Sequence, residues 1–144
     1  MKKFKLLSLF VLALFISNGV LAQGGPAVSD EVTIENAVDQ PKLIVVAFHA
    51  DWCPPCKVLG PKLTDALGEF TDKPVLFTKL DLTNDDTKYK SSLLASALGV
   101  YDVTSTTQGT GFALVLDAET KEVKAKLTKK HSAEEMAEVI TKLL

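Results

Sequence analysis

The sequence predicts an α/β domain built around a central mixed β-sheet flanked by helices. Three observations carry that expectation. Short apolar, β-branched runs alternate with stretches of helical periodicity. The last two such runs are joined through Asp117-Ala118-Glu119-Thr120, a tight turn that adds an antiparallel pair to a sheet begun by a parallel crossover. Two cysteines fall where the first strand meets the following helix, which is where open α/β sheets place their chemistry.

The chain opens on Lys2, Lys3 and Lys5, then an almost continuously apolar run from Leu6 to Ile16. That run is short for a membrane span and has the length of a signal-peptide core. Val20-Leu21-Ala22 fits a cleavage site, so residues 1–22 are expected to be a signal peptide. An uncleaved anchor is the alternative. No cysteine stands at the cleavage point, which argues against a lipid-modified N-terminus. Residues 23–29, with Gly24-Gly25-Pro26, read as a flexible lead-in to a domain over 30–144. Asp30 to Asp39 can form a short helix stopped by Pro41.

Leu43 to Phe48 has the character of a strand buried on both faces. Pro54 to Phe70 follows as a helix, with Val58, Leu59, Leu63, Leu67 and Phe70 at helical spacing and Pro61 inside it, where it should bend the helix. Val75 to Leu82 is expected as a second buried strand, and Asn84 to Leu98 as a helix ended by Gly99. Tyr101 to Gly109 reads as a polar loop. Phe112 to Leu116 and Glu122 to Leu127 are the hairpin strands. Ser132-Ala133-Glu134-Glu135 is a capping box opening the last helix.

At 144 residues the chain holds one compact domain. Sixteen basic and eighteen acidic side chains give a formal charge of −2, and losing the first 22 residues would lower it by a further three units. No basic run or aromatic-basic stripe points to nucleic acid. The expectation is a mildly acidic protein, not membrane-embedded after signal cleavage, in the periplasm or secreted.

The chain has two cysteines, Cys53 and Cys56. A structural disulfide contributes most when it closes a long loop, and a bridge across two residues constrains the unfolded chain little. Such spacing suits reversible redox work or half of a metal site. With no second CxxC and no HxxxH, a structural zinc site is not expected.

Ala50-Asp51-Trp52-Cys53-Pro54-Pro55-Cys56-Lys57, directly after a buried strand, resembles the active-site segment of the thioredoxin superfamily. The resemblance extends over the rest of the domain, with Pro61, Lys79 and the closing hairpin and helix where that family has them. It implies the thioredoxin fold, with Cys53 as nucleophile, Cys56 as resolving thiol, and Trp52, Pro54, Pro55, Lys57, Lys79, Thr110 and Gly111 around them. Leu80-Asp81-Leu82-Thr83-Asn84-Asp85 is also similar to the periplasmic thiol domain of membrane electron-conducting reductases. Physical chemistry agrees with these roles. A cysteine at a helix N-terminus is favoured as thiolate by the partial positive charge and free amides there. Two prolines are tolerated in a first turn, though they leave chiefly the amides of Cys56 and Lys57 as donors, so the pKa is expected to fall modestly, from about 8.5 to near 7.

The chain departs from the family in three places. Where thioredoxins keep a buried aspartate, this chain has Ala47, so Lys79 lacks that partner and proton transfer falls to water, Asp51 or His49. His49 also reads simply as a half-buried packing residue. Where the family has a cis-proline opposite the cysteines, this chain has Gly111 after Thr110, for which a trans bond is expected because a non-proline cis bond costs about 2.5–4 kcal/mol. The loop at 101–109 is longer than the family's and is expected to overhang the site or to be a plain solvated loop.

The resemblance therefore implies a protein disulfide oxidoreductase without a cofactor, acting on protein thiols and disulfides and fed by a membrane electron donor, as a reductase rather than an oxidase. Two other classes stay open: a module holding a soft ion such as Cu(I) on the two thiolates with His49 or His131, and a redox-inert domain that binds partners through its loop.

Overall fold

The computed structural model describes residues 40–144. The expected signal peptide at 1–22, the lead-in at 23–29 and the helix over Asp30–Asp39 lie outside them. The described elements run β1 (Leu43–His49), α1 (Pro54–Gly68), β2 (Val75–Asp81), α2 (Asp85–Ala97), α3 (Tyr101–Thr106), β3 (Phe112–Asp117), β4 (Val123–Thr128) and α4 (Ala133–Leu143). Among the described residues they form one four-stranded sheet in the order β2-β1-β3-β4. β1 and β2 are parallel, while β3 is antiparallel to both β1 and β4. This is the mixed sheet that the alternation of runs and the tight turn require.

Helices cover both faces, and strand alternation divides the core accordingly. Leu43, Val45 and Ala47 of β1 join Val115 of β3, with Leu59 and Leu63 of α1 and Met136 and Ile140 of α4. Ile44, Val46 and Phe48 turn the other way, toward Leu114, Leu116, Ala95 and Val100. Each fully buried aliphatic side chain contributes roughly 1.5–3 kcal/mol by leaving water. Burial on both faces explains why β1 and β3 are continuous apolar runs.

Two expectations need correction. Val75–Asp81 is not buried on both faces: among the described residues β2 is an edge strand, and Phe77 is 45% exposed. Its apolar run resembles that of β1, but it has only β1 beside it. The stretch at 101–109 is not all loop, because Tyr101–Thr106 is the helix α3. Its hydroxyls return to the carbonyls one turn back, Thr104 to Tyr101, Ser105 to Asp102 and Thr107 to Val103, and buried Thr104 anchors it. Ser and Thr usually compete with helix, and here they supplement it. Capping boxes open α2, through Asn84 and Thr87, and α4, through Ser132 and Glu135.

Candidate active site

β1 delivers the chain to the site. After His49 the backbone passes buried Ala50, turns through exposed Asp51 and Trp52, and enters α1. Cys53 is the N-cap in extended conformation, with Pro54 and Pro55 in the first two helical positions. It forms a disulfide with Cys56, their Cα atoms 5.4 Å apart. The Cys56 amide donates to Cys53 Sγ at 3.2 Å, so the sulfur occupies the position of a capping oxygen. That contact and the helix dipole favour negative charge on Cys53 when the pair is reduced.

Both sulfurs are sheltered: Cys53 is 3% exposed and Cys56 4%. Cys56 Sγ lies 3.7 Å from the Phe48 carbonyl oxygen, an acceptor for its thiol in the reduced state. The same oxygen accepts the Gly111 amide at 2.9 Å. Gly111 is buried, follows a trans peptide bond and has φ +85°, conformations that a glycine reaches at little cost. A β-carbon there would sit 2.6 Å from Pro55 Cβ and 3.4 Å from Cys53 Sγ. Gly111 thus closes over the disulfide by having no side chain. Half-buried Thr110 precedes it, and Lys57 is exposed on α1.

α3 does not play that covering part. Tyr101, Thr104 and Thr107 join Leu80, Leu82, Ser91 and Ala95 around a cleft of about 330 Å³ against α2 and the second face of the sheet. The cysteines meet Gly111, beyond the end of α3.

A feature not anticipated from the sequence is the post that steadies the motif turn. Thr83 Oγ1 accepts the Asp51 amide at 3.0 Å, and the Thr83 carbonyl accepts Trp52 Nε1–H at 3.0 Å. The Thr83 hydroxyl donates to Asp81 Oδ1 at 2.5 Å, and its amide donates to the same oxygen at 2.9 Å. The Thr83 hydroxyl bond, with lesser help from the His49 and Lys79 charges, holds the Asp81 carboxyl below its ordinary pKa. The Asp-x-Thr spacing before a helix cap is the signal that could have marked it. Trp52 is otherwise 64% exposed beside the disulfide.

Register brings the remaining candidates together. Ala47 is opposite Lys79 and His49 opposite Asp81, at the carboxyl ends of β1 and β2. Ala47, His49, Cys56, Pro61, Phe77 and Lys79 line an open cleft of about 400 Å³. His49 Nε2 is 3.3 Å from Asp51 Oδ1. His131 lies elsewhere in the chain, its Nδ1 accepting the Thr128 amide at 3.0 Å in the turn before α4. Among the described residues no group of three or more His, Cys, Asp or Glu side chains is arranged to hold a metal ion, and no helix is long and apolar enough to cross a membrane.

Residues 27–95 match the family model described as Thioredoxin. The chain is similar to "Thioredoxin" of Echinococcus granulosus, 47% identical over 53 residues, covering 37% of this chain and 48% of that protein. It is similar to "Thioredoxin, mitochondrial" of Mus musculus, 35% identical over 81 residues, covering 54% and 45%. The matches span less than half the length of these curated relatives. Among solved structures, a thioredoxin-family thiol:disulfide interchange protein from Chlorobium tepidum TLS superposes with a TM-score of 0.51 at 16% identity, covering 71% of this chain and 79% of that one, a likeness of fold. With a mixed four-stranded sheet between helices, the Thioredoxin family segment over residues 27–95, and a Cys-x-x-Cys disulfide at the mouth of α1, this chain has the thioredoxin fold and is similar to the thioredoxin superfamily of thiol–disulfide proteins.

Proposed function

We propose that this chain is an exported thiol–disulfide oxidoreductase that exchanges disulfides with protein substrates through Cys53 and Cys56. One observation carries the reading: the two sulfurs are already bonded, with Cys53 at the N-cap of α1 accepting the Cys56 amide. In the reduced protein Cys53 is the thiolate. It attacks a substrate disulfide, forms a Cys53–substrate bond and expels one substrate thiolate, which takes up a proton. Cys56 then loses its proton, attacks Cys53 Sγ and expels the second substrate thiolate. The substrate gains two electrons and the protein is left as the disulfide. No cofactor is needed, because the two sulfurs carry both electrons.

Trp52 ahead of the motif and the similarity of 80–85 to reducing domains favour the reductase direction, with a membrane electron donor restoring the dithiol. The basic, then apolar, first 22 residues favour a periplasmic or secreted location. Insulin reduction with a small thiol as electron source tests the activity, and redox titration of the cysteine pair tests the direction. Turnover with a potential near about −270 mV supports a reductase, a value near about −120 mV reverses the direction, and absence of turnover removes the reading.

A further inference from the structure

Cys56 must lose a proton before it can close the disulfide, yet its sulfur is buried and its contact with Phe48 is to a carbonyl oxygen, which cannot take that proton. The groups able to move protons are those lining the cleft that Cys56 faces. Ala47 has none. Lys79, on β2, carries an ammonium, which donates and has no lone pair to accept with. His49 is the imidazole, the side-chain type that accepts a proton in that range.

Its contact with Asp51 suits the task. An ionised carboxylate only accepts, so the 3.3 Å contact between Asp51 Oδ1 and His49 Nε2 favours the neutral tautomer that carries its proton on Nε2. Nδ1 is thereby left with its lone pair. His49 is 27% exposed, so the imidazole reaches both the cleft and the solvent that must finally receive the proton. The cleft, about 400 Å³, is open to solvent, and although most of its lining is apolar, Thr64, Lys79 and His49 give it polar groups where entering water can link Cys56 to His49.

We propose that His49, oriented by Asp51, is the proton acceptor for Cys56 in the resolving step of the exchange reaction. This rests on the exchange reading given above. The Cys56 S–H proton passes through water to His49 Nδ1, Cys56 Sγ bonds to Cys53 Sγ, and the Cys53–substrate S–S bond breaks. The departing thiolate takes up a proton, and the imidazolium returns its own to solvent. The charged or titratable neighbours of His49 are Asp51 on its own turn, Lys79 and Asp81 on β2 and Cys56 on α1.

The reduced protein mixed with 5,5′-dithiobis(2-nitrobenzoate) in a stopped-flow instrument releases one thionitrobenzoate as Cys53 attacks and a second as Cys56 closes the disulfide. For His49→Gln the second phase should slow by about tenfold or more at pH 7 and recover as pH rises toward that of an ordinary thiol, while the first phase stays within about twofold. Asp51→Asn, at a side chain 77% exposed and tolerant of change, should slow the second phase less and shift its pH midpoint the same way. A second phase unchanged in rate and pH dependence in both variants overturns the role of His49 and leaves the exchange reading standing. Equal slowing of both phases also overturns it, as a general disturbance of the site. If the unaltered protein releases no second equivalent, the exchange reading and the role of His49 fall together.

Discussion

A β-carbon on Gly111 would press within 2.6 Å of Pro55, and the backbone there sits at φ +85°. Proline cannot adopt that φ, and it would also remove the amide that donates to the Phe48 carbonyl. Gly111→Pro should therefore lower stability by more than about 2 kcal/mol, read by chemical denaturation, because strain adds to a lost buried hydrogen bond. A variant that melts with the unaltered protein would show that Thr110–Gly111 relaxes readily. The cysteines differ in role, not only in position. Cys53→Ser should abolish exchange, since the capping sulfur is the proposed nucleophile. Cys56→Ser should accumulate a Cys53–client mixed disulfide on a non-reducing gel. Turnover of a model disulfide by Cys53→Ser would remove the assignment.

At the scale of elements, α1 supplies the electrostatics of the site and the β2–α2 junction supplies its rigidity. Thr83 stands at that junction, receiving the motif turn through Asp51 and Trp52 and bonding Asp81. Asp81 has a depressed folded-state pKa, so its stabilisation is present above the unfolded carboxylate value, about 3.9, and is lost as pH falls through the lower folded value. Thr83→Val removes the largest cause of that depression. The variant should lose about 1 kcal/mol at pH 7, and the deficit should shrink as the medium is acidified below pH 4. Urea denaturation at pH 7 and pH 3 checks this, and an equal deficit at both values would dissociate Thr83 from the ionisation of Asp81.

For the whole described domain, the disulfide is a small part of what holds the fold. It closes a loop of two intervening residues, whereas the sheet is covered by buried side chains on both faces. Reduction should leave far-UV circular dichroism unchanged and a cooperative melt in place. Cooperative loss of structure on adding reductant would make the bridge structural. The Cys56 thiol formed on reduction has the Phe48 carbonyl as partner, so reduction need not strand a buried donor.

Much of this is legible in the sequence. The runs at 43–48 and 112–116, the turn at 117–120 and the capping boxes are local patterns, and local patterns survive folding because the backbone must satisfy its own hydrogen bonds wherever it lies. Cys53 as a helix cap follows for the same reason, from a strand, two cysteines and two prolines in order. Three features have their physical cause in tertiary structure, although the family resemblance had already set Gly111 opposite the cysteines and named His49 for proton transfer. β2 is an edge because of which strand pairs beside it, a fact its apolar run does not encode. α3 forms because buried Thr104 and its neighbouring hydroxyls find carbonyls one turn back, against a composition that usually reads as loop. The approach of Gly111 to Cys53, and of His49 to the cleft containing Cys56, joins residues distant in sequence or separated by a turn. Sequence by itself determined most of the elements and the placing of the two sulfurs at a helix start, since both depend on near neighbours. Only the fold decided what faces the sulfurs, because strand register, not residue type, brings those groups together.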